Sequence, residues 1–349
     1  MELQQLIQIP PIDTSAAAQA RARQEQLTKP QGSLGRLEEL SIQIAGITGN
    51  HRPQLTHKTI VVMAGDHGVV AQGVSAFPQE VTPQMVANFL NGGAAINVLA
   101  RHVGARVVVV DMGIAADMSE FVGLVHKKIQ PGTNDFTQGP AMTREQAVQA
   151  ILAGAEVVEE ELARGLDVLG TGEMGIGNTT PATAIAAILT GKDPAEIVGP
   201  GTGLDEAGVR HKAEVIRRGI ELNQPQANDP LDVLSKVGGF EIAGLVGAML
   251  AAAHHRRPVV VDGFISTAAA MIALSLAPSL HPYLIAAHRS RERGHDAMLS
   301  WLQLNPLLDL DMRLGEGSGA ALAIGLADAA CKLLDEMATF AEAAVAGKK

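Results

Sequence analysis

An α/β fold built on a mostly parallel sheet, Rossmann-like in arrangement, is predicted by three observations. Short β-branched runs alternate with Ala-rich helical stretches along most of the chain. The runs are continuously apolar rather than alternating, as strands covered on both faces require. Nearly every run then ends in a polar, glycine-rich signature, at the edge where open parallel sheets bind ligands.

The elements follow in order. Helices are expected at 15–28 and 34–49, the second introduced by Ser33, patterned as LGRLEELSIQIAGI and stopped near Asn50. Strands are expected at 59–65 (TIVVMAG), 106–113 (RVVVVDMG), 166–173 (LDVLGTGE), 258–264 (PVVVDGF) and 283–288 (YLIAAH), with 196–200 (EIVGP) a further candidate. Ala-rich helices are expected at 144–164, 181–190, 206–222 and 241–255, and a long last helix at 319–345. Residues 1–55 and 320–349 are expected to pack together as a small helical domain beside an α/β domain of residues 56–319.

Composition excludes several classes. The 349 residues are 47% hydrophobic and 18% charged, enough apolar content for a real core and too much for disorder. A net charge of −10 and 3% aromatic content argue against nucleic-acid binding, which needs cationic surface and stacking rings. The lone Cys331 rules out an internal disulfide framework. The opening MELQQLIQIPPIDTS has no basic and apolar leader pattern, and the longest apolar run, Ile242–Ala253, is too short to span a bilayer. A cytoplasmic protein with no membrane partner is expected.

Two glycine-rich segments stand out. GEMGIGNTTPATA (172–184) reads as strand, tight turn and helix start, with Thr180 at the N-cap and Pro181 in the first helical position. Free backbone N–H groups there suit a phosphate. The segment lacks the Gly-Lys-Ser/Thr of a P-loop, so a nucleoside triphosphate is not indicated. A glycine turn needed only for backbone geometry fits the same residues. RLGEGSGAALA (313–323) sets Glu316 between two glycines ahead of a helix that Ser318 is placed to cap. Glu316 and Glu173 are candidate working carboxylates, though solvated turn or strand-end acids have the same pattern. In GVSAFPQEVTPQMVANFLNGGAAINVLAR (73–101), Phe77, Met85 and Phe89 suit a slot for a flat ring, with Ser75 and Gln84 as polar partners. Plain core packing shows the same spacing. Asp66, His67, Asp111, Asp262 and His288 fall at strand ends but form no HxH, HExxH or DxD spacing, so no metal is expected.

Taken together, these segments resemble one family. KPQGSLGRLE (29–38), AGDHGV (64–69), GVSAFPQEVT (73–82), NGGAAINVLA (91–100), DMGI (111–114) and GTNDF (132–136) are similar to those of nicotinate-nucleotide–dimethylbenzimidazole phosphoribosyltransferases. So are GEMGIGNTT (172–180), GPGTGLD (199–205), VVVDGFISTAAA (259–270), AHRSRERGH (287–295) and LGEGSGAALA (314–323). The resemblance covers about residues 15–330, and Phe77 stands where the family often has Tyr. It implies a homodimeric transferase, with no cofactor, that moves phosphoribose from nicotinate mononucleotide to dimethylbenzimidazole in cobalamin lower-ligand synthesis. It implies Glu316 as general base; charge growing at the anomeric carbon calls for a second, stabilising carboxylate, for which Glu173 is the candidate. The resemblance further implies Gly175, Gly177, Asn178, Gly201, Thr202, Lys212 and Ser290 around the phosphate, and Ser75, Phe77, Gln84, Met85 and Leu314 around the base. Two alternatives stand beside it: a metal-dependent phosphohydrolase using Asp66, His67, Asp111 and Asp262, and a non-enzymatic nucleotide-binding module.

Overall fold

The computed structural model describes residues 2–346. Six strands form one sheet: β1 (Lys58–Gly65), β2 (Ala105–Gly113), β3 (Val125–His126), β4 (Val168–Met174), β5 (Val259–Val261) and β6 (Leu284–Ala286). Their order is β3-β2-β1-β4-β5-β6 and every pair is parallel. The chain leaves β1 toward β2 on one side and later returns to β4 on the other, so the sheet's switch point lies between β1 and β4. That is where an open α/β sheet leaves a crevice at its carboxyl edge.

The pleat explains the unbroken apolar strands. In β1, Val61 and Met63 enter the core on one face, while Ile60, Val62 and Ala64 enter the core on the other. The first face is covered by helices Arg144–Ala163, Phe240–His254 and Phe264–Leu276. The second is covered by Ala95–Val103 and Ser318–Glu336. Small residues let these layers close up. A Cβ on Gly154 would lie 1.9 Å from the Gly244 carbonyl oxygen, and one on Gly247 would lie 1.7 Å from that of Ile151. The Ala/Gly richness of the sequence is thus a helix-on-helix packing requirement.

The chain ends meet at one side. Arg23 donates to the carbonyl of Leu334 at 2.7 Å and Gln24 donates to Ser41 at 3.0 Å. Helix Leu3–Leu6 instead lies against Phe240–His254. Residues 347–349, part of the expected C-terminal unit, lie outside the described residues.

Several expected elements differ. EIVGP is not a strand: Pro194–Ile197 is a helical turn, with the Asp193 carboxylate capping Ala195 N–H and Pro194 at its start. This start signal outweighs the β preference of Ile197 and Val198. The last helix stops at Glu336 rather than 345. Met337 is extended, and the chain then runs beside 26–28, where Phe340 N–H meets the Gln26 carbonyl at 2.9 Å. The helix after β4 starts at Thr179 with Asn178 as N-cap residue, so Thr180 and Pro181 both lie inside its first turn. β5 and β6 are three residues each, shorter than their apolar runs, because the polar ends of those runs turn into the cleft.

Candidate active site

A cleft of about 440 Å³ opens at the carboxyl ends of β4, β5 and β6, beside the switch point. It collects residues from segments scattered between Phe77 and Glu316.

Two buried carboxylates define its inner end. Glu173 sits near the end of β4, opposite Met63 of β1, and is 6% exposed. Glu316 is 7% exposed and lies in the turn before helix Ser318–Glu336. That turn holds three successive residues at positive φ: Gly315 at 87°, Glu316 at 63° and Gly317 at 92°. For Glu316, the only one with a side chain, this costs roughly 1 kcal/mol. The conformation brings its backbone onto the sheet: a Cβ on Gly172 would lie 2.4 Å from the Glu316 carbonyl oxygen. Glu316 N–H is 3.4 Å from Glu173 Oε1, and Ile96 N–H is 3.3 Å from Glu316 Oε2. Asn178 donates its side-chain amide to Glu173 Oε2. Burial, and then the nearby Asp262, push the Glu173 carboxyl up to about 8. Burial also raises Glu316 above the usual carboxylate range, against the Ile96 hydrogen bond. Ser318 does not cap the last helix; its hydroxyl donates to the Gly315 carbonyl. The helix start is held instead by Asp262, which accepts from Ala320 N–H at 2.9 Å and Gly317 N–H at 3.2 Å.

The other end of the cleft is glycine-rich and polar. Gly175 and Asn178 line it, and Gly177 lies just behind at φ 86°. Gly201 and Thr202 face them from the loop after Pro194–Ile197. Beneath this loop the buried Lys212 donates to Thr179 Oγ1 at 2.6 Å. Burial pulls its ammonium down to about 8, with the Glu292 carboxylate opposing. Ser290 lines the cleft next to Glu292, and its N–H is held by His295 Nδ1 at 2.8 Å.

The outer wall is apolar. Phe77, Val81, Met85 and Leu314 line it, Phe77 half-exposed at 50%. Ser75 lies 3.3 Å from the Thr202 hydroxyl and so bridges this wall to the glycine-rich end. Gln84 is exposed and outside the lining, and Phe89 is buried in the core.

The GDHG and DMGI motifs lie behind the cleft rather than in it. Asp66 accepts from Ala115 N–H at 2.8 Å, and Asp111 accepts from Ile114 N–H at 2.9 Å with Lys128 at 3.3 Å. His67 pairs with the buried Glu241 at 2.9 Å. Burial opposes charge on that imidazole, but the Glu241 carboxylate outweighs it and raises the pKa. Among the described residues, no group of three or more His, Cys, Asp and Glu side chains has a metal-binding arrangement.

Sequence reasoning missed Glu292 and Arg313 as lining residues. Arg313 donates to the Gly201 carbonyl at 3.3 Å, tying the carboxylate turn to the loop of Gly201 and Thr202. Both lie within quoted motifs, Glu292 in AHRSRERGH and Arg313 at the start of RLGEGSGAALA, but a charged residue in a polar turn gives no signal that separates it from solvated surface.

A parallel α/β sheet with a glycine-rich cleft and two buried carboxylates beside its switch point is the architecture of an α/β enzyme. A family model described as phosphoribosyltransferase matches residues 9–345. A protein named nicotinate-nucleotide–dimethylbenzimidazole phosphoribosyltransferase from Roseiflexus sp. (strain RS-1) is 60% identical over 343 residues, 98% of this chain and 97% of that protein. One of the same name from Chloroflexus aggregans is 62% identical over 341 residues, again 98% and 97% of the two chains. A crystal structure of the Thermus thermophilus protein bearing that name superposes with a TM-score of 0.91 at 46% identity, covering 97% of this chain and 100% of that one. The chain belongs to the nicotinate-nucleotide–dimethylbenzimidazole phosphoribosyltransferase family.

Proposed function

We propose that this chain transfers the 5-phosphoribosyl group from nicotinate mononucleotide to 5,6-dimethylbenzimidazole, giving α-ribazole 5′-phosphate and nicotinate for the lower-ligand loop of cobalamin. The observation that carries the reading is one cleft with a glycine-rich polar end, two buried carboxylates and an apolar outer wall. Each part matches a part of the two substrates.

The chemistry follows from the donor. Its pyridinium ring leaves as a neutral base: the C1′–N bond breaks and its electron pair returns to the ring nitrogen. The acceptor forms the new C1′–N bond through one imidazole nitrogen, and the proton on the other must go to a base. Glu316 takes that proton, its raised pKa making it a better base than an ordinary carboxylate. With its carboxyl pushed up to about 8 by burial and Asp262, Glu173 favours the protonated form in the free protein. The cationic pyridinium favours its anionic form, so donor binding draws the proton off and leaves a carboxylate for the charge growing at C1′. Gly175, Gly177, Asn178, Gly201, Thr202, Lys212 and Ser290 hold the 5′-phosphate. Ser75, Phe77, Met85 and Leu314 hold the base, with Gln84 at its outer rim.

The phosphohydrolase alternative is disfavoured by the separate engagements of Asp66, His67, Asp111 and Asp262. The transferase should keep its activity after exhaustive chelation; loss restored by a divalent ion would revive the hydrolase. Mass spectrometry of purified protein with nicotinate mononucleotide and dimethylbenzimidazole tests the reaction itself, with ribazole phosphate and nicotinate expected in equal amounts. Binding without turnover would favour the non-enzymatic module.

We also propose a homodimer in the cytoplasm, and a small helical unit made by residues 1–55 and 320–349. Val98, Phe121 and Val122 are exposed near the β3 edge, a surface that a second copy would cover. Among the described residues no helix is long and apolar enough to cross a membrane.

A further inference from the structure

We infer that His288 is a sugar-binding residue, its imidazole taking a ribose hydroxyl of the phosphoribosyl donor; this rests on the function proposed above. His288 follows β6 and lines the cleft, yet is 1% exposed. Its backbone is fixed: Leu308 N–H meets the Ala287 carbonyl at 3.0 Å and Arg289 N–H meets the Leu308 carbonyl at 2.8 Å. Neither ring nitrogen has a hydrogen-bond partner among the described residues. The nearest carboxylate oxygen, Asp262 Oδ1, is 3.9 Å from Nε2, beyond hydrogen-bond reach. Asp262 is in any case engaged with the N–H groups of Ala320 and Gly317.

The neighbouring His295 shows what a purely structural imidazole looks like here. Its ring lies 6.4 Å from that of His288, and both nitrogens are used. Nδ1 accepts from Ser290 N–H at 2.8 Å, and Nε2 meets Thr267 Oγ1 at 2.9 Å. Thr267 in turn donates to the Gly263 carbonyl at 2.7 Å. His288 has no such chain. A buried polar ring without partners is costly, and an apolar side chain of similar shape would serve packing better. The surroundings nonetheless make room for it. A Cβ on Gly263 would lie 3.1 Å from His288 Nε2, and one on Gly319 only 2.1 Å from its Cδ2.

Position selects the ligand group. Gly263 adjoins both His288 and Ser290 of the glycine-rich end, while Asp262 influences both Glu173 and Glu316. His288 is thus flanked by Gly263, which it shares with Ser290, and by the Asp262 carboxylate 3.9 Å away. In the donor, the stretch between the 5′-phosphate and C1′ is the sugar, whose free polar groups are its hydroxyls. A ribose hydroxyl can both donate and accept, and so can meet an imidazole nitrogen in either state.

The test compares wild type and His288→Ala with nicotinate mononucleotide and with its 2′-deoxy and 3′-deoxy analogues. The alanine variant should lose about ten- to hundredfold in kcat/KM for the ribosyl donor, the usual effect of a lost buried hydrogen bond. Its acceptor KM should be unchanged. With at least one deoxy donor that loss should collapse, because the partner hydroxyl is already gone. Equal losses with all three donors would overturn the inference. If the alanine variant melts below assay temperature, His288→Asn is compared in the same way. Failure of the wild type to turn over the ribosyl donor would overturn the proposed function and this inference with it. Wild-type turnover with equal losses would overturn this inference alone.

Discussion

The backbone N–H of Glu316 points at the Glu173 carboxylate, 3.4 Å away, while the Glu316 side chain turns aside to the N–H of Ile96. One residue thus supplies a carboxylate to the cleft and fixes a second one. The arrangement needs Glu316 at positive φ, which two flanking glycines permit and which a regular helix start would not give. Among the described residues, neither carboxylate is neutralised by a cationic side chain in a salt bridge, and burial raises the pKa of both.

Glu173 should reveal itself in stability. Unfolded, it titrates near 4.5; folded, near 8. Between those values the native protein keeps a proton that the unfolded chain has lost, so its contribution falls as pH rises through that window. Glu173→Gln removes the titration. Its Tm relative to wild type should therefore climb from pH 5 to pH 8.5 in scanning calorimetry. A difference independent of pH would contradict the buried-acid assignment.

Lys212 should set the pH range of donor binding. Its ammonium is intact below about 8 and lost above. Wild-type kcat/KM for nicotinate mononucleotide should therefore decline above pH 8, while KM for the acceptor stays level. Lys212→Met should raise the donor KM by roughly tenfold or more, as loss of a charge-assisted hydrogen bond does, and abolish that decline. An unchanged donor KM in a folded variant would remove Lys212 from the phosphate site.

The acceptor wall should discriminate softly. Phe77, Met85 and Leu314 offer contact but no convergent hydrogen bonds, and each methyl in such a pocket is worth about 1–3 kcal/mol. Competition assays should show dimethylbenzimidazole preferred over benzimidazole, with both used. Phe77→Ala should raise the acceptor KM and leave the donor KM alone. Rejection of every benzimidazole would contradict the assignment of this wall.

Local chemistry explains what the sequence disclosed. Strands at 59–65 and 106–113 were legible because continuous β-branched runs have few other uses, Glu173 because it ends a strand that runs into a glycine-rich turn, and Glu316 because glycines bracket it. EIVGP misled because Ile197 and Val198 look strand-like, while the Asp193-Pro194 start that made a helical turn spans only two residues. The reach of the last helix was overestimated because Ala-rich sequence continues to 344; the turn at Met337 is imposed by pairing with 26–28, far away in the chain. Glu292, Arg313 and the unsatisfied state of His288 depend on tertiary burial, which no local pattern encodes.

The central claim is that Glu316 accepts the acceptor's proton. Steady-state kinetics of Glu316→Gln for both substrates across pH, alongside a melting curve, test it most directly. The amide keeps shape and can still accept a hydrogen bond, but it cannot take the proton. With the fold intact, kcat should fall by about 10²–10⁴-fold with little change in donor KM. In the wild type, kcat should decline on the acid side as the carboxylate is protonated, at a pH above the ordinary range for Glu because burial raises its pKa. That acidic limb should flatten in the variant. A folded Gln variant with near-normal kcat and an unchanged acidic limb would contradict the account and leave Glu173 as the carboxylate to test as base.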